Sequence, residues 1–247
     1  MTTPRALITR PRAEAEALAA LLARQGIEVV LEPMIEIVER RAPPLDLVGV
    51  QAILCTSANG VRSLARASTE RGVPVFAVGD ATAREARSAG FGEVASAGGA
   101  VEDLARLVGR RLRPPDGRLL HVAGSEVAGD LAGLLGAEGF TVERVVLYEA
   151  RAADALTVAT VRMIDGGEIA LALFFSPRSA AIFARLAEAA GVGAGLAATT
   201  AISISPAADA PLGDLPFRQR VVAAAPTQAA LLARIEQFAG QPATVHP

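Results

Sequence analysis

Two short stretches of the chain place small hydroxyl residues where an apolar run passes into a helix-like one. LCTSANGV covers residues 54–61 and FFSPRSA covers residues 174–180. Serine and threonine at such positions are typical helix N-caps, and the free N–H groups of a helix N-terminus favour anions. Neither stretch contains lysine, histidine or a carboxylate. They therefore predict that anionic groups are bound by backbone amides and hydroxyls, without covalent catalysis.

Several other predicted strands end in the same way. In an open parallel α/β sheet, ligands bind beyond the carboxyl ends of the strands. Any one of these turns is equally typical of an ordinary helix cap. The prediction of a binding site therefore depends on how many of them lie around one cleft, which the domain organisation described below predicts. The candidate binding residues are Arg10, Thr56, Ser57, Asn59, Gly79, Asp80, Ala81, Gly124, Ser125, Ser176, Pro177, Arg178 and Ser179.

Four side chains in this set or near it suggest more specific roles. Arg10 and Arg178 are candidates for a bidentate carboxylate clamp, although Arg178 is equally typical of a solvated helix start. Asp80 has the alternative of a simple N-cap. Tyr148, the only tyrosine, follows VVL near the end of a predicted strand. It is either a half-buried core residue or an acid for a departing hydroxyl group, because a phenol keeps its proton up to about pH 10.

The residue types that are missing exclude several kinds of chemistry. The sequence has no lysine, so all 24 cationic side chains are arginine, which excludes Schiff-base and P-loop chemistry. One cysteine and two histidines are too few for a disulfide or a zinc site. We interpret Cys55 as inert and His121 as a packed strand residue in preference to a base. Neither a metal nor a cofactor is expected.

Length and composition restrict the class of protein further. The 247 residues are 51% hydrophobic with a net charge of −2, which predicts one large domain or two ordinary ones and argues against nucleic acid as a partner. No apolar run approaches about 18 residues, so no membrane span is expected. The opening MTTPRALITR lacks a signal-peptide pattern. We expect a cytoplasmic monomer.

Strand-like and helix-like segments alternate along the chain, which predicts an α/β fold with mostly parallel sheets. A helix is predicted over Arg12–Gln25 and closed by Gly26, and the extended stretch that follows is broken at Pro33. The predicted strands cover residues 5–10, 50–56, 73–79, 118–123, 141–150, 171–176 and 199–205.

The second half of the sequence repeats the first. AILCTSANGVRSLAR (52–66) aligns with LALFFSPRSAAIFAR (171–185), which pairs Ser57 with Ser176. ALAALLARQGIEV (17–29) aligns with DLAGLLGAEGFTV (130–142), and VASAGGAVEDLARL (94–107) aligns with VAAAPTQAALLARI (222–235). The order never changes, so the sequence predicts two copies of one α/β unit, over about 1–115 and 116–240.

The spatial domains need not follow these two copies. Each copy has a long extended stretch after its first helix, which is too long for one strand and long enough to cross from one domain to the other. We expect residues 1–36 and 153–247 to form one domain and residues 37–152 the other, although tandem domains fit the repeat equally well. Two similar domains on two linkers predict a cleft that opens and closes.

In their order, these motifs resemble those of uroporphyrinogen-III synthases. The resemblance is carried by LITRP, TSANGVRSL, FAVGDATAREARSAGF, LYEA, FFSPRSA and the late ISPAADAPL with VVAAAPTQAALL, and it runs from about residue 5 to residue 237. The chain departs from the family pattern at SISPAADAPLGDLPF (203–217), where Pro211 and Pro216 interrupt a helix.

The resemblance implies a fold and a reaction. It implies two α/β domains joined by a two-stranded linker, with the active site in the cleft between them. It also implies closure of hydroxymethylbilane to uroporphyrinogen III with loss of water and inversion of ring D. No cofactor or metal is implied. Tyr148 matches the tyrosine proposed to assist departure of the hydroxyl group and Thr82 matches a cleft threonine, both as catalytic residues. Thr227 joins the substrate-binding loops, and hydroxymethylbilane synthase is the implied donor of the substrate.

Other classes of protein share some of these features. The main alternative is a non-catalytic, two-lobed α/β binding protein for a polyanionic small molecule. A nucleotide-dependent transferase is disfavoured because the chain has no P-loop and no dinucleotide-binding fingerprint.

Overall fold

The computed structural model describes residues 3–41, 44–126 and 129–239. Short aliphatic strands alternate with helices throughout, as the sequence predicts. The first half of the chain contains β1 (Arg5–Ile8), α1 (Arg12–Arg24), β2 (Glu28–Leu31), β3 (Ile35–Glu39), β4 (Val50–Cys55), α2 (Ala58–Ala67), β5 (Val75–Ala77), α3 (Asp80–Ser88), β6 (Val94–Ser96) and α4 (Val101–Arg111). The second half contains β7 (Arg118–Gly124), α5 (Leu131–Ala137), β8 (Val142–Ala152), α6 (Val158–Asp165), β9 (Leu171–Phe174), α7 (Pro177–Ala190), α8 (Gly193–Leu196), β10 (Thr200–Ser203), α9 (Pro206–Asp209), β11 (Gln219–Val222) and α10 (Gln228–Ala239).

The strands form two sheets. The first has the order β11-β10-β9-β1-β2, and its neighbouring strands are parallel. The second has the order β3-β8-β7-β4-β5-β6, and its pairs from β8 to β6 are parallel. The first sheet combines β1 and β2 of the first sequence copy with the last three strands of the second, and the second sheet combines β7 and β8 of the second copy with the last four strands of the first. The predicted α/β class with parallel sheets is confirmed.

The same exchange of strands divides the chain into two compact units. Unit 1 contains the described residues up to Glu36 and from Arg151 onwards, and unit 2 is Ile37–Ala150. The sequence places the second boundary two residues later, after residue 152. Both boundaries fall inside strands, β3 and β8, which are neighbours in the second sheet.

Local sequence explains where the first elements begin and end. In α1 the buried residues Ala15, Leu18 and Leu22 follow the helical spacing, so one face packs on the sheet. The helix ends at Arg24, and Gly26 follows with a φ of 73°, a left-handed conformation that glycine adopts without strain. Pro33, which lacks an N–H to donate, separates β2 from β3.

The helices cover both faces of the second sheet. On one face, Leu104 and Leu131 from α4 and α5 pack against Leu54 and Leu119. On the other face, Val61 and Leu64 of α2 and Ala86 of α3 pack against the strands. The strand residues of this cluster are Ile53, Leu120, Val122 and Leu147. Strands buried on both faces read as continuous apolar runs, and this is why β4 and β7 are visible in the sequence.

Two short strands are missing from the prediction, and several strands are predicted too long, β5 most of all. β6 and β11 have three and four residues and lie at the sheet edges. β5 covers Val75–Ala77 although residues 73–79 are predicted to be extended. Within the described ranges, none of the helices has the length and apolar character needed to cross a membrane.

Candidate active site

Each sheet contains one point at which the direction of chain progression reverses. In unit 1 this point lies between β1 and β9, and in unit 2 it lies between β7 and β4. Ligands of open parallel sheets bind outside the carboxyl ends of the strands at such switch points. The candidates Arg10 and Ser176 follow the two strands in unit 1, and Ser57 and Gly124 stand at the ends of the two strands in unit 2.

The turn after β4 is a helix N-cap built on Ser57. Its backbone is extended, and its Oγ accepts a hydrogen bond of 3.0 Å from the N–H of Gly60. Such a bond satisfies one of the free amides at the start of α2. The same Oγ lies 2.7 Å from the phenolic Oη of Tyr148. The predicted cap residue and the predicted acid are therefore in direct contact.

The ring of Tyr148 lies across Gly124, at the end of β7. Gly124 pairs with Tyr148 in the β7–β8 ladder, where the register shifts after Ala123. A Cβ atom on Gly124 would lie 2.9 Å from Cε2 and Cζ of the ring and 3.2 Å from Oη. Tyr148 is 7% exposed. The glycine thus provides the space through which the phenol reaches Ser57 at the switch point.

The segment after Gly124 differs from its prediction. No helix begins directly after Ser125, because α5 starts at Leu131 and its N-cap is Asp130, which accepts from the N–H of Gly133. The cap assignment for Gly124 and Ser125 is therefore wrong. Arg144 instead donates to the carbonyl oxygens of both residues, at 2.8 and 2.9 Å. This fixes the chain beside the phenol.

His121 does not provide a base in this region. Its Nε2 is buried and has no hydrogen-bond partner among the described residues. Burial, and next the charge of Arg144, lower the pKa of His121 to about 4, so the imidazole is neutral at pH 7. Burial also raises the pKa of the Cys55 thiol to about 12, which keeps it protonated and unreactive.

The other predicted residues of the Ser57 turn, Thr56 and Asn59, contact neighbouring parts of unit 2. Asn59 accepts from Nη2 of Arg62 at 2.7 Å, and Arg62 also pairs with Glu85 at 2.7 Å. Thr56 is half-buried between β4 and the cap. The amide oxygen of Asn59 is thus used to orient Arg62.

The turn between β5 and α3 corrects the assignment of Asp80. Gly79 is the N-cap and Asp80 is the first residue of the helix, where its carboxylate accepts from the Ser96 hydroxyl at 2.7 Å. Ala81 is exposed, whereas Thr82 is 5% exposed. Only the backbone of Gly79 and the exposed start of the helix are therefore open to a ligand.

In unit 1 the equivalent cap is Ser176. Its Oγ accepts from the N–H of Ser179 at 3.1 Å and donates to the Ser179 hydroxyl at 3.0 Å. Ser179 is buried, whereas Pro177 and Arg178 are exposed. Ser205 caps α9 in the same way. That helix has only four residues and passes into a 3-10 turn that contains Pro211, as expected for the departure at 203–217.

Arg10 connects three elements at the switch point of unit 1. Its guanidinium lies 4.3 Å from the centre of the Phe175 ring and donates to Oε1 of Gln228 at 2.9 Å. Beside it, Thr9 donates to the carbonyl of Leu173 at 2.7 Å. Thr227 is exposed and caps α10 by accepting from the N–H of Ala230. Arg10 and Thr227 are thus neighbours through Gln228.

One buried carboxylate, Glu32, is not among the residues predicted from the sequence. Glu32, 3% exposed, accepts from the N–H and hydroxyl of Thr157 at 3.0 and 2.6 Å and from the hydroxyl of Thr160. It therefore anchors the start of α6 to the end of β2. The only sequence signals are a carboxylate directly after an apolar strand and a Thr-x-x-Thr pair before a helix.

The described residues contain no group of three His, Cys, Asp or Glu side chains that would hold a metal ion. Each unit has its own set of candidate residues. In unit 2 Ser57, Gly124, Ser125 and Tyr148 lie together, and in unit 1 Arg10, Ser176 and Thr227 follow neighbouring or nearby strands of one sheet.

Comparisons with known proteins point to one family. No curated protein sequence matches the chain. The uroporphyrinogen-III synthetase structure from Helicobacter pylori is 18% identical, with a TM-score of 0.62, 95% of this chain covered and 99% of that one. A mutant uroporphyrinogen III synthase from the extremely thermophilic bacterium Thermus thermophilus is 17% identical, with a TM-score of 0.53, 95% of this chain covered and 98% of that one. These two establish the fold. The family model for uroporphyrinogen-III synthase HemD matches residues 16–233, and the chain belongs to that family.

Proposed function

We propose that the chain is a uroporphyrinogen-III synthase that closes hydroxymethylbilane with loss of water and inversion of ring D, a hydro-lyase reaction of tetrapyrrole biosynthesis. The observation that carries the proposal is the phenol of Tyr148, which lies at the switch point of unit 2 in contact with Ser57. This side chain combines a transferable proton with a fixed position.

The binding residues suit a substrate with eight carboxylates. Backbone amides at the starts of α2, α3 and α7, with Arg10 and Arg178, offer several mild anion sites in place of one strong one. Thr56, Asn59, Gly79, Asp80, Ala81, Ser125, Ser176, Pro177, Ser179 and Thr227 complete the proposed set. Asp80 contributes through its N–H, because its carboxylate would repel the substrate.

Tyr148 acts as the acid that assists departure of the hydroxyl group. The pyrrole nitrogen supplies the electron pair, the carbon–oxygen bond breaks, and the phenolic proton leaves with the hydroxyl as water. The azafulvene is then attacked by the substituted carbon of ring D, and the spiro intermediate opens and closes again at the unsubstituted carbon. That carbon loses a proton as aromaticity returns, which restores the phenol.

Control of geometry is the second task of the enzyme. Free hydroxymethylbilane closes spontaneously to the isomer with ring D unflipped, so the protein has to hold the chain where the substituted carbon attacks. Thr82, in the first turn of α3, is proposed to shape the site in which the substrate chain is held. We further propose a cytoplasmic monomer that receives its substrate from hydroxymethylbilane synthase, because direct transfer limits spontaneous closure.

One assay tests the function. Hydroxymethylbilane is generated in situ, the protein is added, and the isomer of the product is determined after oxidation to the porphyrin. The proposal expects the type III isomer at a rate above the spontaneous reaction. Formation of type I alone, at the spontaneous rate, would leave a protein that only binds polyanions.

A further inference from the structure

We propose that Ser57 and Gly124 are positioning residues for the acid. Gly124 leaves the space that the Tyr148 ring occupies, and the Ser57 hydroxyl donates to the phenolate formed when the proton departs. This inference rests on the proposed function, because it assumes that Tyr148 gives its proton to the leaving hydroxyl.

The atoms nearest to the space at Gly124 belong to the Tyr148 ring. Two carbon atoms of the Tyr148 ring would lie 2.9 Å from an added Cβ, closer than real Cβ contacts allow. The backbone carbonyl of Tyr148 accepts from the N–H of Ser125 at 2.9 Å, which holds the backbone in place, so the ring can make room only by rotating about its own side-chain bonds. A side chain at position 124 would therefore displace the phenol from Ser57.

The orientation of Ser57 is also set before the reaction. The N–H of Gly60 occupies one lone pair of Oγ, and Oγ lies 2.7 Å from Oη. A serine hydroxyl can donate one hydrogen bond while it accepts others. Donation to Oη favours the charged form of the phenol, so proton transfer to the substrate leaves a stabilised anion. The N-terminal end of α2 adds a favourable dipole.

The composition of the chain makes this testable with one probe. Tyr148 is the only tyrosine and there is no tryptophan, so the near-ultraviolet absorbance change of phenolate formation reports on this residue alone. In Ser57→Ala, loss of one hydrogen bond to the charged form is expected to move the titration about one pH unit upward. Far-ultraviolet circular dichroism at each pH confirms that the fold is intact.

Steady-state kinetics provide the second readout. We expect kcat of Ser57→Ala to fall by up to about tenfold with KM within about twofold, and Ser57→Thr to restore it. One pKa unit in an acid changes the rate by about tenfold when the proton is fully transferred in the transition state, and by less when transfer is partial. Gly124→Ala is expected to lower kcat at least as much. In the double variant the two losses should not multiply, because both act on one contact.

Two matched variants control for loss of a helix cap. Asp130→Ala removes an N-cap in the same unit, and Ser176→Ala removes the repeat-related cap in unit 1. Neither should move the phenol titration. A downward shift or no shift in Ser57→Ala would overturn the proposal, as would a raised KM at unchanged kcat, which would make Ser57 a substrate ligand. If wild-type protein forms only the type I isomer, the proposed function fails while the titration still decides the contact.

Discussion

The turns at Ser57 and Ser176 are nearly identical in backbone and different in surroundings. Their φ and ψ angles are −154° and 155° at Ser57 and −155° and 150° at Ser176. Both hydroxyls accept from the N–H three residues on, at 3.0 and 3.1 Å. The second neighbour of Ser57 is the phenol of Tyr148, whereas that of Ser176 is the hydroxyl of Ser179. The repeated turn thus has a phenol beside it in one copy only, and that phenol comes from β8, two strands away from β4 in the sheet.

The largest expected effect comes from removing that difference. Tyr148→Phe leaves both caps without a phenol, and we expect kcat to fall about 100-fold or more, the usual contribution of a positioned acid. Product affinity should stay close to that of the wild type, because the ring and the caps remain. Type III formation from hydroxymethylbilane generated in situ and a product-binding titration measure the two quantities. Unchanged turnover would show that the phenol is not the acid.

The next effect belongs to unit 1, where Glu32 has a structural role without a counterpart among the described contacts of unit 2. Glu32→Ala leaves the N–H and hydroxyl of Thr157 and the hydroxyl of Thr160 without their acceptor, and we expect the free energy of unfolding to fall by about 3 kcal/mol. Urea denaturation measures it. Glu28→Ala is the control, since its exposed ion pair with Arg5 should contribute below about 1 kcal/mol. Equal losses would contradict the anchoring role.

A third comparison concerns the strands beside the Ser57 and Ser176 turns. His121 in β7 pairs with Leu54, and Ile8 in β1 pairs with the repeat-related Leu173. The pKa of His121 is lowered in the folded state, so the unfolded chain binds more protons below pH 6.5. Stability from this residue is present above pH 6.5 and is lost as the pH falls towards 4. Between pH 7 and pH 5, the loss should be about 2 kcal/mol greater than in His121→Ile.

Denaturation of both proteins across this pH range provides the measurement. The His121→Ile variant makes unit 2 resemble unit 1 at this position, so it should lack this component of the acid sensitivity. Parallel curves for the two proteins would show that the imidazole is not responsible.

The smallest effect tests the shared cap itself. Ser176→Ala should lower the free energy of unfolding by about 1 kcal/mol, because one amide of α7 loses its acceptor. Ser176→Gly is the control and should lose only a few tenths of a kcal/mol. Thermal or urea denaturation suffices. A loss in Ser176→Ala well above this value would show that the Ser179 hydroxyl contact matters more than the cap.

Sequence reasoning was most successful where a local pattern determines a local structure. The caps at Ser57 and Ser176 and the helix from Arg12 follow from hydroxyl, apolar and glycine positions alone. It failed at Asp80, because either Gly79 or Asp80 satisfies the cap composition and only the backbone angles decide. Short edge strands such as β6 were missed because three residues contain no periodicity.

The contacts of the site lie beyond such patterns. A Gly-Ser pair after a strand suggests a cap, and nothing in the letters shows that a ring from the next strand lies on Gly124. Glu32 is similar, because its donors are more than a hundred residues away. The exchange of strands between the two copies was one of two arrangements that fit the repeat, since pairing across copies and within copies buries similar apolar faces.

The exchange of strands has a consequence for synthesis of the chain. Ala6 of β1 pairs with Leu171 of β9, whereas every parallel pair of the second sheet lies within one continuous segment. Contacts between distant residues form late because closing a long loop is entropically unfavourable. On the ribosome the middle segment can therefore fold first. The N-terminal strands β1 and β2 cannot complete their sheet until the last third of the chain has emerged. A nascent chain stopped near residue 150 would expose β1 and β2 to chaperones and proteases.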